Sequence, residues 1–188
     1  MVSKIRALLA LTRLDKPRGI VLLAWPTLMP FALHPEQGSL VILFIYILGV
    51  IIARSIGCVV NDWWDQGFDG HVERTKSRPL AVGVLSNKDV LWVLIVFGMV
   101  GLIALFQLDV TAILIGAVAG IMMCVYPLMK RWVVLPQVFL GLTFATGIWM
   151  AMSSLSQPLD IACLNLYLFW VVWIFLFDTL YAKADMVD

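Results

Sequence analysis

A chain of 188 residues with 62% hydrophobic and 13% charged residues is not an ordinary soluble domain, where about 45–50% apolar and about 25% charged residues are usual. So short a chain cannot hide that much apolar surface, so lipid must be the solvent for most of it. A net charge of +1 gives no argument for nucleic acid. Cys58, Cys124 and Cys163 are scattered through apolar stretches without CxxC spacing. They read as small buried hydrophobes rather than metal ligands or disulfide partners.

Residues 1–17 are basic and mildly amphipathic. Their apolar run, Ala7 to Leu11, is shorter than the about 7–15 residues of a signal-peptide core. The segment reads as an interfacial lead-in, with Ile5, Leu8, Leu9 and Leu14 towards lipid and Lys4, Arg6 and Arg13 towards headgroups. Six stretches then follow as candidate membrane spans, at Gly19–Leu33, Ser39–Val60, Val90–Leu108, Val110–Met129, Val133–Met152 and Ile161–Phe177. The first is short and contains Pro26 and Pro30, which spans tolerate where neighbours re-satisfy the backbone. Only Gln107 and Asp109 separate the third from the fourth, which predicts a tight helical hairpin. The whole chain reads as a single all-α integral membrane domain, a multi-span helical bundle.

Positive charge fixes the expected orientation. Lys4, Arg6, Arg13, Lys16 and Arg18 precede the first span, and Arg74, Lys76, Arg78 and Lys88 lie between the second and third. Lys130 and Arg131 lie between the fourth and fifth, and Lys183 follows the sixth. The other three loops hold Glu36, Asp109 and Asp160 but no Lys or Arg, so both termini are expected in the cytoplasm. Arg54 alone stands inside a span. An unpaired arginine there costs about 2.5–3.5 kcal/mol on insertion scales, which marks it as a functional candidate against the alternative of snorkelling to the surface.

The segment after the second span, NDWWDQGFDGHVERTKSRPL from Asn61 to Leu80, carries the chemistry. Asn61, Asp65 and Asp69 are four residues apart, so a continuing helix would stack them on one face. Like charges at that spacing repel, and a divalent cation reverses the sign of the interaction. Hard oxygen ligands with room for water suit Mg²⁺, which takes one or two carboxylates plus substrate phosphates. Arg74, Lys76 and Arg78 follow at once and suit phosphate oxygens. Arg54 lies two turns before Asn61 on the same face. Trp63, Trp64 and Phe68 between the acids suit the membrane interface and an apolar substrate. Asp62 and Glu73 read either as supporting partners or as exposed charges.

The chain's last residues offer a counterpart, DTLYAKADMVD, in which Asp178, Tyr181, Asp185 and Asp188 share one helical face. Two acidic faces thus follow the second and sixth spans and emerge on the same membrane side. They could clamp metal ions about one diphosphate. A third cluster, YPLMKR, sets Tyr126 and Lys130 four residues apart between the fourth and fifth spans.

These residues carry a family resemblance. NDWWDQGFDGHVERTKSRPL resembles the first aspartate-rich motif of the UbiA-type intramembrane prenyltransferases, and DTLYAKADMVD resembles the second. LDKPRG, AWPT and YPLMKR are similar to the same family in the same order, and GCVVND with FDGHVERT is most similar to its 4-hydroxybenzoate polyprenyltransferase branch. The resemblance implies a helical bundle around a central cavity open to the membrane. It implies Mg²⁺ ligands at Asn61, Asp65, Asp69, Asp178, Asp185 and Asp188, with Asp65, Asp69, Asp178 and Asp185 at the catalytic centre. It also implies diphosphate contacts from Arg54, Arg74, Tyr126 and Lys130, with Arg18 and Arg78 as candidates for the acceptor's carboxylate. About nine spans are expected in the family, so a chain ending on the second motif after six reads as C-terminally truncated.

The implied substrates are a polyprenyl diphosphate and 4-hydroxybenzoate, as in ubiquinone synthesis at a bacterial inner membrane. Other acceptors of the family, such as a naphthoate, a haem or a chlorin, form the nearest rival reading. A divalent-cation transporter would need acids at the span centres, where this sequence has none.

Overall fold

Lipid offers no hydrogen-bond partners, so a chain that crosses it must close its backbone bonds within helices or a barrel. The computed structural model describes residues 3–73 and 75–185, the side chains of Lys130, Arg131, Ala182, Ala184 and Asp185 excepted. These residues form seven helices. They are α1 (Lys4–Leu11), α2 (Arg18–Leu33), α3 (Leu40–Asp69), α4 (Asn87–Leu105), α5 (Val110–Trp132), α6 (Pro136–Ser154) and α7 (Ile161–Asp185). There is no strand among the described residues. The protein is an all-α membrane protein. Four helices, α3, α4, α5 and α7, are long and apolar enough to cross a bilayer.

The other two expected spans differ from those four for local reasons. α2 has 16 residues, about 24 Å at 1.5 Å per residue, against a hydrocarbon core of about 30 Å. Pro26 and Pro30 both lie inside it and are buried. Beside Pro26, the Thr27 hydroxyl donates to the Leu23 carbonyl at 2.9 Å. α6 is diluted by Gln137, Thr143, Thr146, Ser153 and Ser154. It can afford them because α7, α5 and α2 all pack against it. It begins at Pro136 rather than Val133, with the proline in the first turn, where its missing N–H costs nothing.

Two glycines set how closely α6 meets its neighbours. A Cβ on Gly141 would stand 2.6 Å from the Val171 carbonyl oxygen of α7, and one on Gly147 would overlap the Thr27 side chain of α2. Six residues apart is about 240° around a helix, so the two glycines admit different partners. Small residues at such contacts let helices associate in lipid, where the hydrophobic effect offers no drive.

The α4–α5 hairpin is present, and its turn carries a polar clamp. Asp109 caps α5, accepting from the Ala112 N–H at 3.0 Å. It also accepts from the hydroxyls of Ser153 (2.6 Å) and Ser154 (2.7 Å) on α6. With Ser154's hydrogen on Asp109, the Tyr46 hydroxyl is the donor in its 2.9 Å bond to Ser154, which ties in α3.

At the opposite end, α1 docks against the bundle. Ala7 and Leu11 are buried with Val59, Leu80, Leu85 and Val90. Ile5, Leu9 and Leu14 are exposed, as expected. Leu8, expected towards lipid, instead packs against this cluster. Lys4 and Arg13, expected towards headgroups, are taken by carboxylates: Lys4 pairs with Asp89 at 2.7 Å, and Arg13 turns inward to Asp62 at 2.8 Å.

Gly141→Ala should destabilise the detergent-solubilised protein by about 1–3 kcal/mol, because the new carbon meets backbone rather than a side chain that can yield. Gly98→Ala is the control, since a Cβ there meets nothing within 4 Å; it should be neutral or stabilising by up to about 1 kcal/mol. Chemical unfolding in detergent measures both. A second expectation concerns pH. Partial burial opposes ionisation of Asp109, but the hydrogen bonds from Ser153, Ser154 and Ala112 prevail and hold its carboxyl below the usual 3.8. The native value lies below the unfolded one, so the clamp's contribution is complete at neutral pH and fades as pH falls through the native value. Asp109→Asn should therefore flatten the stability curve below about pH 4 and leave its neutral-to-alkaline limb unchanged in shape.

Candidate active site

The chemistry-bearing residues ride on helices that outrun the membrane. α3 has 30 residues, about 45 Å of helix against about 30 Å of hydrocarbon. Its last turns therefore leave the apolar region, carrying Asn61, Asp65 and Asp69 on a continuous helix. α5 and α7 extend likewise past Met129 and Phe177. The C-terminal ends of α3, α5 and α7 share one side of the bundle, because consecutive long helices run antiparallel. Trp63, Trp64 and Phe68 are exposed there, with Trp63 and Trp64 edge to face at 5.4 Å.

Two helices bring charges towards Tyr126 of α5. Its phenol lies within electrostatic reach of Asp178 on α7 and of Arg54 and Asp65 on α3. Tyr126 thus lies within reach of one carboxylate from each acidic motif and of the intramembrane arginine. Arg54 has its own slot. A Cβ at Gly19, in the first turn of α2, would overlap the guanidinium as it stands, so the glycine makes room for it there. Its Cζ stands 5.8 Å from the centre of the Phe144 ring on α6, a cation–π contact. The Nε is buried and has no hydrogen-bond partner among the described residues. A buried unmatched donor is costly, and an anion's oxygen would satisfy it.

A second set of charges gathers around Asp62, which is only 1% exposed. Arg13 Nη2 donates to both of its oxygens, at 2.8 and 3.0 Å. Arg78 Nη1 stands 2.9 Å from Asp62 Oδ1 and 2.8 Å from Asp69 Oδ2. The open question about Asp62 and Glu73 is thereby resolved in opposite senses: Asp62 is a buried partner, and Glu73 is an exposed residue paired with Lys76. Asp69 and Arg78, expected at the metal and at the acceptor, are partnered with each other. Arg13 is the residue that sequence reasoning missed. It lies 49 positions from Asp62 and belongs to no local pattern.

Arg18 is exposed at the first position of α2. Arg74 and Asp188, and the side chains of Lys130 and Asp185, lie outside the described residues. No group of three His, Cys, Asp or Glu stands close enough to hold a metal among the described residues. Two apolar grooves, of about 400 and 300 Å³, run along α7 away from the acids, the second bounded by Trp25, Met29 and Trp173.

The model of the UbiA prenyltransferase family matches residues 23–188. The chain belongs to that family. It is 40% identical over 187 residues to a 4-hydroxybenzoate octaprenyltransferase from Methylobacillus flagellatus, covering 99% of this chain and 63% of the relative. It is 39% identical to a protein of the same name from Salmonella paratyphi B, covering 99% of this chain and 64% of that one. The apo structure of a UbiA homolog from Aeropyrum pernix K1 superimposes with a TM-score of 0.71 at 20% identity, over 98% of this chain and 66% of that one. The chain thus spans a little under two thirds of the length of these relatives. In UbiA terms, its first acidic motif divides between two neighbourhoods. Asp65 lies within electrostatic reach of Tyr126, as Asp178 does, and Asp62 and Asp69 share Arg78.

Asp62→Ala should destabilise the protein by about 3 kcal/mol, because it leaves two arginines facing each other beside a dry contact. Glu73→Ala, which removes an exposed pair, should change stability by no more than about 0.5 kcal/mol. Thermal unfolding of the two purified variants checks the contrast.

Proposed function

We propose that the protein transfers a polyprenyl group from a polyprenyl diphosphate to the ring of 4-hydroxybenzoate. The observation that carries this reading is the convergence of Asp65, Asp178 and Arg54 on Tyr126, because it joins oxygen ligands to an unmatched guanidinium donor. The names of the curated relatives supply the substrates.

The donor set fits Mg²⁺. Asn61, Asp65 and Asp178 offer hard oxygens, which suit an ion that takes one or two carboxylates and completes its shell with phosphate and water. When bound, the metal draws charge onto the diphosphate as the allylic C–O bond breaks. Asn61 and Asp65 would hold it from α3, and Asp178 and Asp185 from α7, with Asp188 as a further candidate ligand. Arg54 Nε and the Tyr126 hydroxyl donate to phosphate oxygens, as do Arg74 and Lys130. These donors stabilise the charge that develops on the leaving group. The carbon of the acceptor ring ortho to its hydroxyl attacks the allyl cation, and a carboxylate of the site takes the displaced proton. Arg18 is the candidate for the acceptor's carboxylate. Trp63, Trp64 and Phe68 screen the cation from water, and the polyprenyl tail stays in lipid. Positive charge on the loops at this end orients the site to the cytoplasm, on the inner membrane of a bacterium.

Asp65→Ala should lower Mg²⁺-dependent prenyl transfer by about 10²–10³-fold. The assay uses membranes containing the protein, Mg²⁺, 4-hydroxybenzoate and a polyprenyl diphosphate, with a naphthoate as competing acceptor. Undiminished turnover would remove Asp65 from the site, and preference for the naphthoate would replace the acceptor.

A further inference from the structure

We propose that Asp69 is a positioning residue and not a metal ligand: it joins Asp62, Arg13 and Arg78 in a lock that fastens the 70–85 segment and α1 to the end of α3. The inference rests on the reading of Asn61, Asp65 and Asp178 as the metal–diphosphate site and assigns the rest of the motif to a separate task.

The helix itself makes the division. At about 100° per residue, Arg54, Asn61 and Asp65 fall within an arc of about 40° on α3. Asp62 and Asp69 lie within about 20° of each other and about 40–60° further round than Asp65. Repeated steps of four residues drift by about 40° each, so the third member of an Asn61–Asp65–Asp69 row has left the stripe that begins it. The arginines meet it there. Arg78 Nη1 sits between Asp62 Oδ1 at 2.9 Å and Asp69 Oδ2 at 2.8 Å. Asp69 and Asp62 are 6% and 1% exposed, so neither pair is a solvated surface contact.

The other contacts of Asp69 serve the same segment. Its carbonyl accepts from the buried Thr75 hydroxyl at 2.9 Å. Arg78 leads directly into Leu80, which is buried with Leu85, Ala7 and Leu11. Arg13 closes the lock from the other side. Its φ of 58° lies in the left-handed region, unusual for a residue with a Cβ. From there its guanidinium reaches the Ala10 carbonyl and both oxygens of Asp62. The lock thus ties the segment that carries Lys76 to the end of α3.

Two measurements test the proposal. The first is the rate of trypsin cleavage after Lys76 in the membrane-embedded protein, where this side chain is 55% exposed. Asp69→Asn, Arg78→Gln and the milder Arg78→Lys should each speed cleavage by about tenfold, because cleavage tracks the population of the opened segment. Asp69→Asn combined with Arg78→Gln should be no faster than the faster single variant. Unchanged rates, or effects that multiply, overturn the lock. The second is the Mg²⁺ concentration that gives half of the thermal stabilisation produced by Mg²⁺ with inorganic diphosphate. Asp69→Asn should leave it within about twofold, and Asp65→Asn should raise it by about tenfold or more. An equal rise in both variants makes Asp69 a ligand and overturns the proposal. Absence of any stabilisation in the unaltered protein counts against the proposed function, and the cleavage rates then decide the lock alone.

Discussion

Everything polar in this protein is confined by a solvent that cannot hydrogen-bond. A bilayer interior leaves charge three outlets: the two ends of the bundle, or a partner inside it. The protein uses all three differently. At one end Asp109 gathers the hydroxyls of α6 and, through Ser154, that of Tyr46 on α3, which fixes the helices without any net chemistry. At the other end carboxylates collect on extensions of α3 and α7, and Arg13 and Arg78 reach those of α3 from the connecting segments. Between them Arg54 is accommodated by a missing Cβ at Gly19 and an aromatic face at Phe144.

The end that holds the acids is built by length rather than by loops. A site on a loop in contact with membrane would be mobile, and its ligands would lose the geometry that metal binding demands. Here α3 and α7 simply continue as helix past the apolar region, so each acid inherits the rigidity of a packed span. α6 underlies this arrangement. Its glycines allow α7 and α2 to approach closely, which fixes the register of α7 and thus where Asp178 stands relative to Tyr126.

Much of this was legible in the sequence, because hydrophobic length is a strong signal and the motifs are dense. Four of the six expected spans, the hairpin at Gln107–Asp109 and the continuation of α3 through Asp69 follow from spacing and composition. α1 was harder. An amphipathic helix reads the same whether its apolar side meets lipid or protein, and only the distant Val59, Leu80, Leu85 and Val90 make Ala7 and Leu11 core residues. The pairing of Arg13 with Asp62 was invisible for the same reason, since no local rule links residues 49 apart. Asp69 shows a subtler limit. Spacing of four groups residues on one face over two members, but drift accumulates, and the third was close enough to Asp62 for one arginine to bridge both.

The charges gathered at the acidic end suit the mixed-charge ligand of the proposed reaction. Asp65 and Asp178 each lie within electrostatic reach of one tyrosine, and the arginines around Asp62 are engaged in a separate network. Arg54 adds positive charge nearby with a donor left over. A cation alone would relieve the acids but not the arginine, and an anion alone would do the reverse. A metal–diphosphate complex presents positive charge to the carboxylates and oxygen to the guanidinium in one object. In the proposed reaction such a complex would complete both halves at once, which neither component could do separately.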